Sequence, residues 1–429
     1  MSIPELEIRS LKAGRPSAGG RIQILIRAVA PERPLDWPVT ARPPLDLALV
    51  IDRSGSMSGG PLHEAKRCAL EIVRRLEPTD RAAVVVYDGT VDTLLPLHSA
   101  GDIAPFARVL ARVDAGGRTN LHGGWDAGRI ALDDGGRTDA VRRVLLLSDG
   151  CANHGITRVE TVSAHCRRAL EAGIGTTTIG LGRHFNEDLM TAMAEAGGGQ
   201  SYYGERAEDL LDAFSEEFSL LGNLHSREMK VRITPSPGVR VVAVGGKRAS
   251  GTSTIRLPDV AWGAVSWVQV TLEVPPSESD GEPLLVARLS GTSEDGRWRA
   301  TEAALHLPTL EEPVLAALAE DPVVAERVAD TRVGELLEEA RAAAIGGDPN
   351  AARRLLGEAR NIAGDNRWLH ASVAEIEQLL EEDVLLFAKE ARFARNKMAG
   401  RLLASEAVLA DAVMPEYLQT KVRQGRRRD

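Results

Sequence analysis

The sequence predicts an α/β protein in which a doubly wound, mostly parallel sheet is accompanied by an antiparallel β-sandwich and a C-terminal helical region. Between residues 44 and 223, runs rich in Val, Ile and Leu alternate with helical stretches, as in parallel sheets that helices cover on both faces. In the segments before residue 44 and between residues 224 and 308, apolar and polar residues alternate with a period of two, the pattern of half-buried strands. After Pro308 the chain turns to Ala, Leu, Glu and Arg at helical spacing.

The parallel-sheet segment divides into short apolar strands and longer amphipathic helices, and hairpin turns between them are scarce. The predicted strands cover residues 45–51, 82–87, 143–147, 175–180 and 200–203. The predicted helices cover residues 61–76, 103–113, 121–132, 159–172, 186–196 and 207–221. This alternation indicates βαβ units with their helices on both faces of one sheet.

The antiparallel segments lie on both sides of that block in the chain. The predicted strands cover residues 5–11, 21–29, 227–234, 239–245, 254–257, 265–274, 284–289 and 301–307, separated by Pro, Gly and Asp turns. We expect the two early strands to complete the later sandwich, so that the parallel-sheet domain is inserted into one β domain. The predicted domains are residues 1–43 with the N-terminal strands, 44–223 with the parallel sheet, 224–308 with the sandwich, and 309–429 with the helices.

Helices are predicted at residues 323–345, at 350–363 and from 367 to about 405, and the Gly-Gly-Asp-Pro run at 346–349 ends one helix and starts the next. The first two resemble a single tetratricopeptide hairpin, but one hairpin is not an array. A helical bundle is therefore favoured over a dedicated peptide-binding groove. The basic stretch at 421–428 is interpreted as a solvated tail, with weak binding to anionic surfaces as the alternative.

Composition limits the classes of function and the compartment. The chain has 429 residues, of which 43% are hydrophobic and 26% charged, and its net charge of -9 argues against a general nucleic-acid binder. Three cysteines, Cys68, Cys151 and Cys166, have neither metal-ligand spacing nor the even count of a disulfide framework, which favours buried or free thiols in a reducing compartment. Neither a signal peptide nor an apolar run long enough to span a membrane is visible. We therefore expect a cytoplasmic protein.

Five oxygen-bearing side chains follow predicted strands or precede a predicted helix. Asp52, Ser54 and Ser56 follow the first buried strand at spacings i, i+2 and i+4, Thr119 precedes a helix, and Asp149 ends another strand. Carboxylate and hydroxyl oxygens suit Mg²⁺ or Mn²⁺. Ligand sites of open parallel sheets collect where the strands end, so these loops should converge. The expected result is a metal site, and the alternative for the first loop alone is a plain turn.

This arrangement resembles the von Willebrand factor type A domain and its metal-ion-dependent adhesion site, whose pattern is Asp-x-Ser-x-Ser, then Thr, then Asp. By that resemblance Ser54, Ser56 and Thr119 are direct ligands, and Asp52 and Asp149 bind directly or through water. The bacterial branch is the closer likeness, through Asp-Arg-Ser-Gly-Ser-Met at 52–57 and Ser-Asp-Gly-Cys-Ala-Asn at 148–153. The resemblance covers residues 44–223 and implies a Rossmann-like fold that binds Mg²⁺, with Mn²⁺ or Ca²⁺ as alternatives.

The preferred function is a non-enzymatic interaction module in which an Asp or Glu of a partner protein completes the coordination of the metal. Domains of the bacterial kind resemble adaptors for AAA+ ATPases or modules of multi-protein assemblies. No loop of this chain resembles a phosphate-cradling motif of its own. A partner that binds the C-terminal helices instead is the structural alternative.

The competing class is a metal-dependent hydrolase. Residues 55–59 read Gly-Ser-Met-Ser-Gly, so Met57 stands where a nucleophile elbow requires its serine. His63, His122 and His154 lie near the motif loops as candidate general bases, although loop histidines are more often surface or packing residues. Asp88 and Asp126 would be further carboxylates only in that interpretation. We therefore expect no catalytic residue.

Overall fold

The computed structural model describes residues 3–32, 43–137, 139–149, 152–181, 186–204, 224–249, 254–257, 259–277, 281–293, 296–364 and 366–399. The predicted helix at 207–221, Cys151, the basic stretch 421–428 and the part of the last predicted helix beyond residue 399 lie outside these residues. Across the described part of the chain, no helix combines the length and the apolar character that crossing a membrane requires.

The elements are numbered in chain order. The strands are β1 Glu5–Ser10, β2 Arg15–Pro16, β3 Gly20–Val29, β4 Leu45–Asp52, β5 Arg81–Tyr87, β6 Val91–Ser99, β7 Val141–Ser148, β8 Ile174–Leu181, β9 Gly198–Gly204, β10 Leu224–Pro235, β11 Arg240–Val244, β12 Lys247–Arg248, β13 Thr254–Arg256, β14 Val260–Ala261, β15 Val265–Val274, β16 Leu285–Ser293, β17 Trp298–Leu305 and β18 Thr309–Leu310. The helices are α1 Gly60–Arg75, α2 Ala104–Ala111, α3 Leu121–Gly135, α4 Val159–Glu171, α5 Glu187–Ala196, α6 Glu312–Ala317, α7 Pro322–Ile345, α8 Pro349–Ala363, α9 Arg367–Glu382 and α10 Val384–Ala399.

Residues 36–224 form one compact unit around a six-stranded sheet. The strand order is β6-β5-β4-β7-β8-β9, and every neighbouring pair is parallel except β5 and β6. Both faces are covered, because β4 contributes Leu47 and Leu49 to the core on one side and Ala48 and Val50 to the core on the other. A central strand buried on both faces explains why residues 47–51 of β4 form an uninterrupted apolar run.

Strand β6 corrects the sequence analysis, which predicted no strand between residues 88 and 102. β6 pairs antiparallel with β5 at the edge of the sheet, and most of its side chains are exposed or half-buried. Pro96 and Asp92 weaken its apolar pattern. An edge strand tolerates proline and polar side chains because one of its sides needs no partner.

Helix α3 lies very close to the sheet because two of its glycines leave room for the strands. A Cβ atom at Gly124 would overlap the ring of Tyr87, and one at Gly128 would overlap Val50. The N-cap of this helix is Asn120, whose side-chain oxygen accepts a hydrogen bond from the backbone N–H of Gly123. The close contact therefore fixes the loop before α3 above the ends of β4 and β5.

Residues 3–32 and 225–399 form the second compact unit. One sheet has the order β1-β3-β15-β11-β12 and the other the order β13-β10-β16-β17, with β14 paired to β10. Their apolar faces share one core. β3 pairs with β1 on one side, and its whole length, Gly20–Val29, pairs with β15 on the other.

Four helices of this unit pack together: α7 packs against α8 and α10, and α9 packs against the same two helices. Their apolar sides enclose a core of their own. The single helix predicted from residue 367 onward is wrong, since α9 and α10 are separated at Asp383. The Asp383 carboxylate accepts the backbone N–H of Leu386 at 3.1 Å, which starts a new helix in the manner of an N-cap.

A buried carboxylate stabilises the end of β4 opposite Asp52, and its loss should destabilise the parallel-sheet unit. Asp46 is fully buried and accepts hydrogen bonds from Arg81 Nη2 at 2.7 Å and from Arg137 Nη2 at 2.7 Å. Although burial opposes ionisation, hydrogen bonds from the two arginines hold the pKa of Asp46 below its usual range. We expect Asp46→Ala to lower the free energy of unfolding by about 3 kcal/mol in urea titrations.

The matched control is Glu302→Ala, which breaks the ion pair of Glu302 with Arg288 at 2.9 Å. Both side chains are more than half exposed, so this change should cost less than about 1 kcal/mol. Equal losses for the two variants would contradict the structural role of Asp46.

Candidate metal centre

The first loop of the candidate centre starts at the end of β4 and bends back on Asp52. The backbone N–H of Ser54 donates to Asp52 Oδ1 at 2.8 Å, and the hydroxyls of Ser54 and Ser56 lie 3.2 Å apart. A short 3-10 turn, Gly55–Met57, follows, and its Met57 side chain is fully buried in the core. The buried methionine anchors the loop that carries both serine hydroxyls.

Asp52 is fully buried and is held by two further side chains. Ser148 Oγ donates to Asp52 Oδ2 at 2.6 Å, and the Tyr87 hydroxyl donates to the same oxygen at 3.2 Å. Burial, and more weakly the charge of Asp149, raise the pKa of Asp52, although Ser148 and Ser54 donate hydrogen bonds to the carboxylate. Two carboxylates of like charge close enough to interact create an electrostatic cost that a bound cation would relieve.

The second loop is connected to the first by two backbone hydrogen bonds. The N–H of Gly116 donates to Arg53 O at 2.8 Å, and the N–H of Gly55 donates to Gly117 O at 3.2 Å. Gly117 has a φ of 77°, a left-handed conformation that favours glycine. Thr119, which is only 2% exposed, follows this turn.

The third loop contacts the second. Asp149 follows β7 and is 8% exposed, and its carbonyl oxygen accepts the N–H of Asn186, the N-cap of α5, at 2.9 Å. Further along, Asn153 Oδ1 accepts the N–H of Thr119 at 2.9 Å. The three loops are therefore joined in series by hydrogen bonds, the first to the second and the second to the third.

The structure brings all five predicted residues to the same end of the sheet. Four of them, Asp52, Ser54, Thr119 and Asp149, are buried, whereas Ser56 is exposed. Within the described ranges, no three His, Cys, Asp or Glu side chains gather as a metal site. Two carboxylates and three hydroxyls form an oxygen-only donor set, which fits a hard divalent cation.

The residues that support this donor set were not predicted from the sequence. Ser148 and Tyr87 reach Asp52 from the neighbouring strands β7 and β5, and they are 96 and 35 residues away from it in the chain. The strand order alone could have suggested them, because both end strands that flank β4. Asn153 stood in the third motif, but the sequence pattern carries no indication of its contact with Thr119.

The side chains considered for hydrolysis do not assemble into catalytic machinery in the described part of the chain. His122 Nε2 lies 2.7 Å from His165 Nδ1, and burial lowers the pKa of His122. His63 and His154 are exposed. Asp88 accepts hydrogen bonds from the backbone N–H of Thr90 at 2.7 Å and from its hydroxyl at 2.9 Å, and it pairs with Arg53 at 3.3 Å. Asp126 pairs with Arg129 on the same helix at 2.7 Å.

Two of the three cysteines are described, and both are free and buried. Burial raises the pKa of the Cys166 thiol to about 12 and also raises that of Cys68. Thiols that stay protonated at neutral pH are poor nucleophiles and poor metal ligands. Cys68 and Cys166 are therefore packing residues.

The comparison with protein families identifies the parallel-sheet unit. Residues 46–217 match the model of the von Willebrand factor type A domain. The chain contains a von Willebrand factor type A (VWA) domain. VWA domains typically mediate protein–protein interaction, and they commonly bind a divalent metal ion at the metal-ion-dependent adhesion site.

Solved structures extend the likeness beyond the VWA domain. The chain is 16% identical to a von Willebrand factor type A protein from Catenulispora acidiphila, with a TM-score of 0.71 over 94% of this chain and 98% of that chain. The ArnB paralog VWA2 from Sulfolobus acidocaldarius gives a TM-score of 0.61 at 16% identity, over 94% and 100% of the two chains. At such identities the likeness concerns the fold alone. The predicted fold class, a Rossmann-like VWA sheet with antiparallel sheets and C-terminal helices, is confirmed.

Sequence relatives share only part of their length with this chain. The uncharacterized protein sll0103 of Synechocystis is 29% identical over 55% of this chain and 55% of its own length. The human inter-alpha-trypsin inhibitor heavy chain H3 is 27% identical over 41% of this chain and 21% of its own length. The chain thus spans about half, or less, of these relatives. Neither name denotes an enzyme.

Proposed function

We propose that this protein is a metal-dependent interaction module that binds an acidic residue of a partner protein. A divalent cation, Mg²⁺ with Mn²⁺ or Ca²⁺ as alternatives, is held by Asp52, Ser54, Ser56, Thr119 and Asp149. The support is the oxygen-only donor set, with its two carboxylates buried at one end of the sheet. The bound cation supplies an electrophilic centre that attracts a carboxylate from outside.

The observation that carries this proposal is the unequal burial of the donor residues. Asp52 is 0% exposed, Ser54 1%, Thr119 2% and Asp149 8%, whereas Ser56 is exposed to solvent. The buried residues hold the cation from below, and the side of Ser56 is left accessible. A partner Asp or Glu approaching from that side would add the oxygen that the protein itself does not provide.

The wider role that we propose is that of a bacterial adaptor or scaffold in the cytoplasm, with an AAA+ ATPase as one candidate associate. The proposed domain limits remain residues 1–43, 44–223, 224–308 and 309–429. A hydrolase is not favoured, because the His122 ring faces another imidazole and His63 and His154 are exposed. If the partner binds elsewhere, the C-terminal helices α7–α10 are the alternative surface.

Partner binding should depend on the metal and on Thr119. We expect partners captured from a bacterial lysate by the immobilised full chain to be lost in EDTA and regained with excess Mg²⁺. Thr119→Ala should reduce capture as chelation does, because it removes one donor oxygen without disturbing the sheet. The matched control is Thr157→Ala on the exposed part of the third loop, which should capture normally.

The acidic contact is tested on the partner once capture has identified it. Changing the critical Asp or Glu of the partner to Asn or Gln should abolish binding, because a neutral amide is a weaker ligand for a hard cation. Capture that survives both EDTA and Thr119→Ala would move the interface to the C-terminal helices. Metal-dependent turnover of an ester, phosphate or peptide substrate would move the protein into the enzyme class.

A further inference from the structure

We infer that Asn153 is a positioning residue that holds Thr119 in place for the metal, although Asn153 is not one of the five donors. The inference rests on the proposed function, because it concerns how the same site reaches its affinity. It also predicts a property of the metal-free protein, the protection of the Thr119 amide, and this property can be measured even if no metal binds.

The peptide groups on both sides of Thr119 are held by the third loop. Asn153 Oδ1 accepts the N–H of Thr119 at 2.9 Å. In the opposite direction, Thr119 O accepts the backbone N–H groups of Asn153 and His154, each at 3.1 Å. The carbonyl is thus fastened by the backbone alone, whereas the N–H depends on one side chain. A substitution at Asn153 therefore removes the hydrogen bond to the Thr119 N–H and leaves the two backbone hydrogen bonds to the Thr119 carbonyl in place.

Two glycines show how closely these loops approach. Gly155 has a φ of 70°, and a Cβ atom there would overlap the side-chain oxygen of Asn120, the residue after Thr119. Before Thr119, Gly117 has a φ of 77°. A Gly-Gly pair at 116–117 gives this segment the greatest backbone freedom. The contacts from the third loop therefore add to the two backbone hydrogen bonds from the first loop in restricting Thr119.

The physical consequence concerns the hydroxyl of Thr119. A donor oxygen contributes fully to metal affinity only when its position is set before the metal arrives. Without the acceptor at residue 153, the N–H of this buried threonine loses its partner and the segment can rotate about the remaining carbonyl bonds. Residues that orient metal ligands typically change affinity by about 10–100-fold when they are replaced.

The test uses three substitutions at residue 153 in the full chain, with Mn²⁺ binding measured by calorimetry. We expect Asn153→Ala to weaken binding by about tenfold or more. Asn153→Asp keeps an acceptor oxygen at the same distance from the backbone and should stay within about threefold of the parent protein. Asn153→Glu carries the same charge one methylene farther out, so it should behave like Asn153→Ala. This pair separates the hydrogen bond from the added charge.

The metal-free readout is amide hydrogen exchange followed by NMR or mass spectrometry. Exchange at the Thr119 amide should accelerate at least about tenfold in Asn153→Ala and remain slow in Asn153→Asp. The N–H of Gly124, which donates to Asn120 O at 3.0 Å, should be unaffected. Asn350→Ala, an exposed asparagine in the other compact unit, is the matched control and should leave both readouts unchanged.

The outcomes separate the two proposals. If the parent protein binds no Mn²⁺ but the Thr119 amide responds as expected, the positioning role stands and the proposed function fails. If Mn²⁺ binds equally well to the parent and Asn153→Ala, the positioning role is overturned and the proposed function stands. The positioning role is also overturned if Asn153→Asp loses as much Mn²⁺ affinity as Asn153→Ala, because Asn153→Asp retains the acceptor oxygen.

Discussion

Asp52→Ala should abolish metal binding without unfolding the protein. Asp52 is fully buried, its oxygens organise Ser54, Ser148 and Tyr87, and it is one of the two carboxylates of the centre. Charge on the ligands sets the affinity of oxygen sites for divalent cations. We expect Mn²⁺ affinity to fall by at least about 100-fold, more than the loss of a supporting contact causes.

The electrostatics of the site also predict how a second substitution, Asp52→Asn, affects the stability of the metal-free protein. Burial raises the pKa of Asp52, so the stability associated with the protonated carboxyl is present at low pH and is lost as the pH rises through that raised pKa. Above that raised pKa, the ionised Asp52 therefore destabilises the metal-free fold. Asp52→Asn should melt at the same temperature as the metal-free parent or higher, yet gain nothing from added metal.

The measurements are calorimetric titration with Mn²⁺ and thermal unfolding with and without Mg²⁺. A ligand present at 100 times its Kd stabilises the folded parent by about 2.7 kcal/mol, and this increment should disappear in both Asp52 variants. Lowering the pH should also weaken binding in the parent, since protons compete for Asp52. Asp134→Ala, on the exposed face of α3, is the control. Undiminished Mn²⁺ binding by Asp52→Ala and Ser54→Ala would refute the assignment.

The fold class could be predicted because hydrophobic periodicity is a local property of the chain. The run of apolar residues in β4 marks a strand buried on both faces, and the structure has it at Leu45–Asp52. The edge strand β6 could not be predicted in this way, because its exposed side chains give no apolar pattern. The break between α9 and α10 was missed for a related reason, since Asp383 is an N-cap inside a stretch of strong helix formers.

In the candidate site, too, the residues of a local motif could be predicted from the sequence, whereas the contacts between distant residues could not. The five donor residues follow a motif with fixed spacing, so they could be named from the sequence. Their supports could not, because Tyr87 and Ser148 reach Asp52 only after the strands are ordered. Asn153 lies 34 residues from Thr119, and only the folded loops bring its side chain to the Thr119 N–H.

Deletion of residues 1–40 should prevent the sandwich from folding and cause aggregation. β3 is an inner strand that pairs with β1 and with β15. Its Ile24 and Ile26 are 0% exposed and belong to the core shared by both sheets. Removing it would expose that core and leave the edge of β15 unpaired, a template for association with other chains. The excised segment 44–223 should, by contrast, fold alone.

A point variant tests the same idea without truncating the chain. Ile26→Ala should lower the free energy of unfolding by about 3 kcal/mol, because the cavity forms in a close-packed core. Ile345→Ala, at a side chain that is 56% exposed in the same compact unit, is the matched control and should change it by less than about 0.5 kcal/mol. Light scattering and urea unfolding followed by circular dichroism measure both effects. A deletion variant that stays monomeric and unfolds cooperatively with the parent's midpoint would show that the sandwich does not need β3.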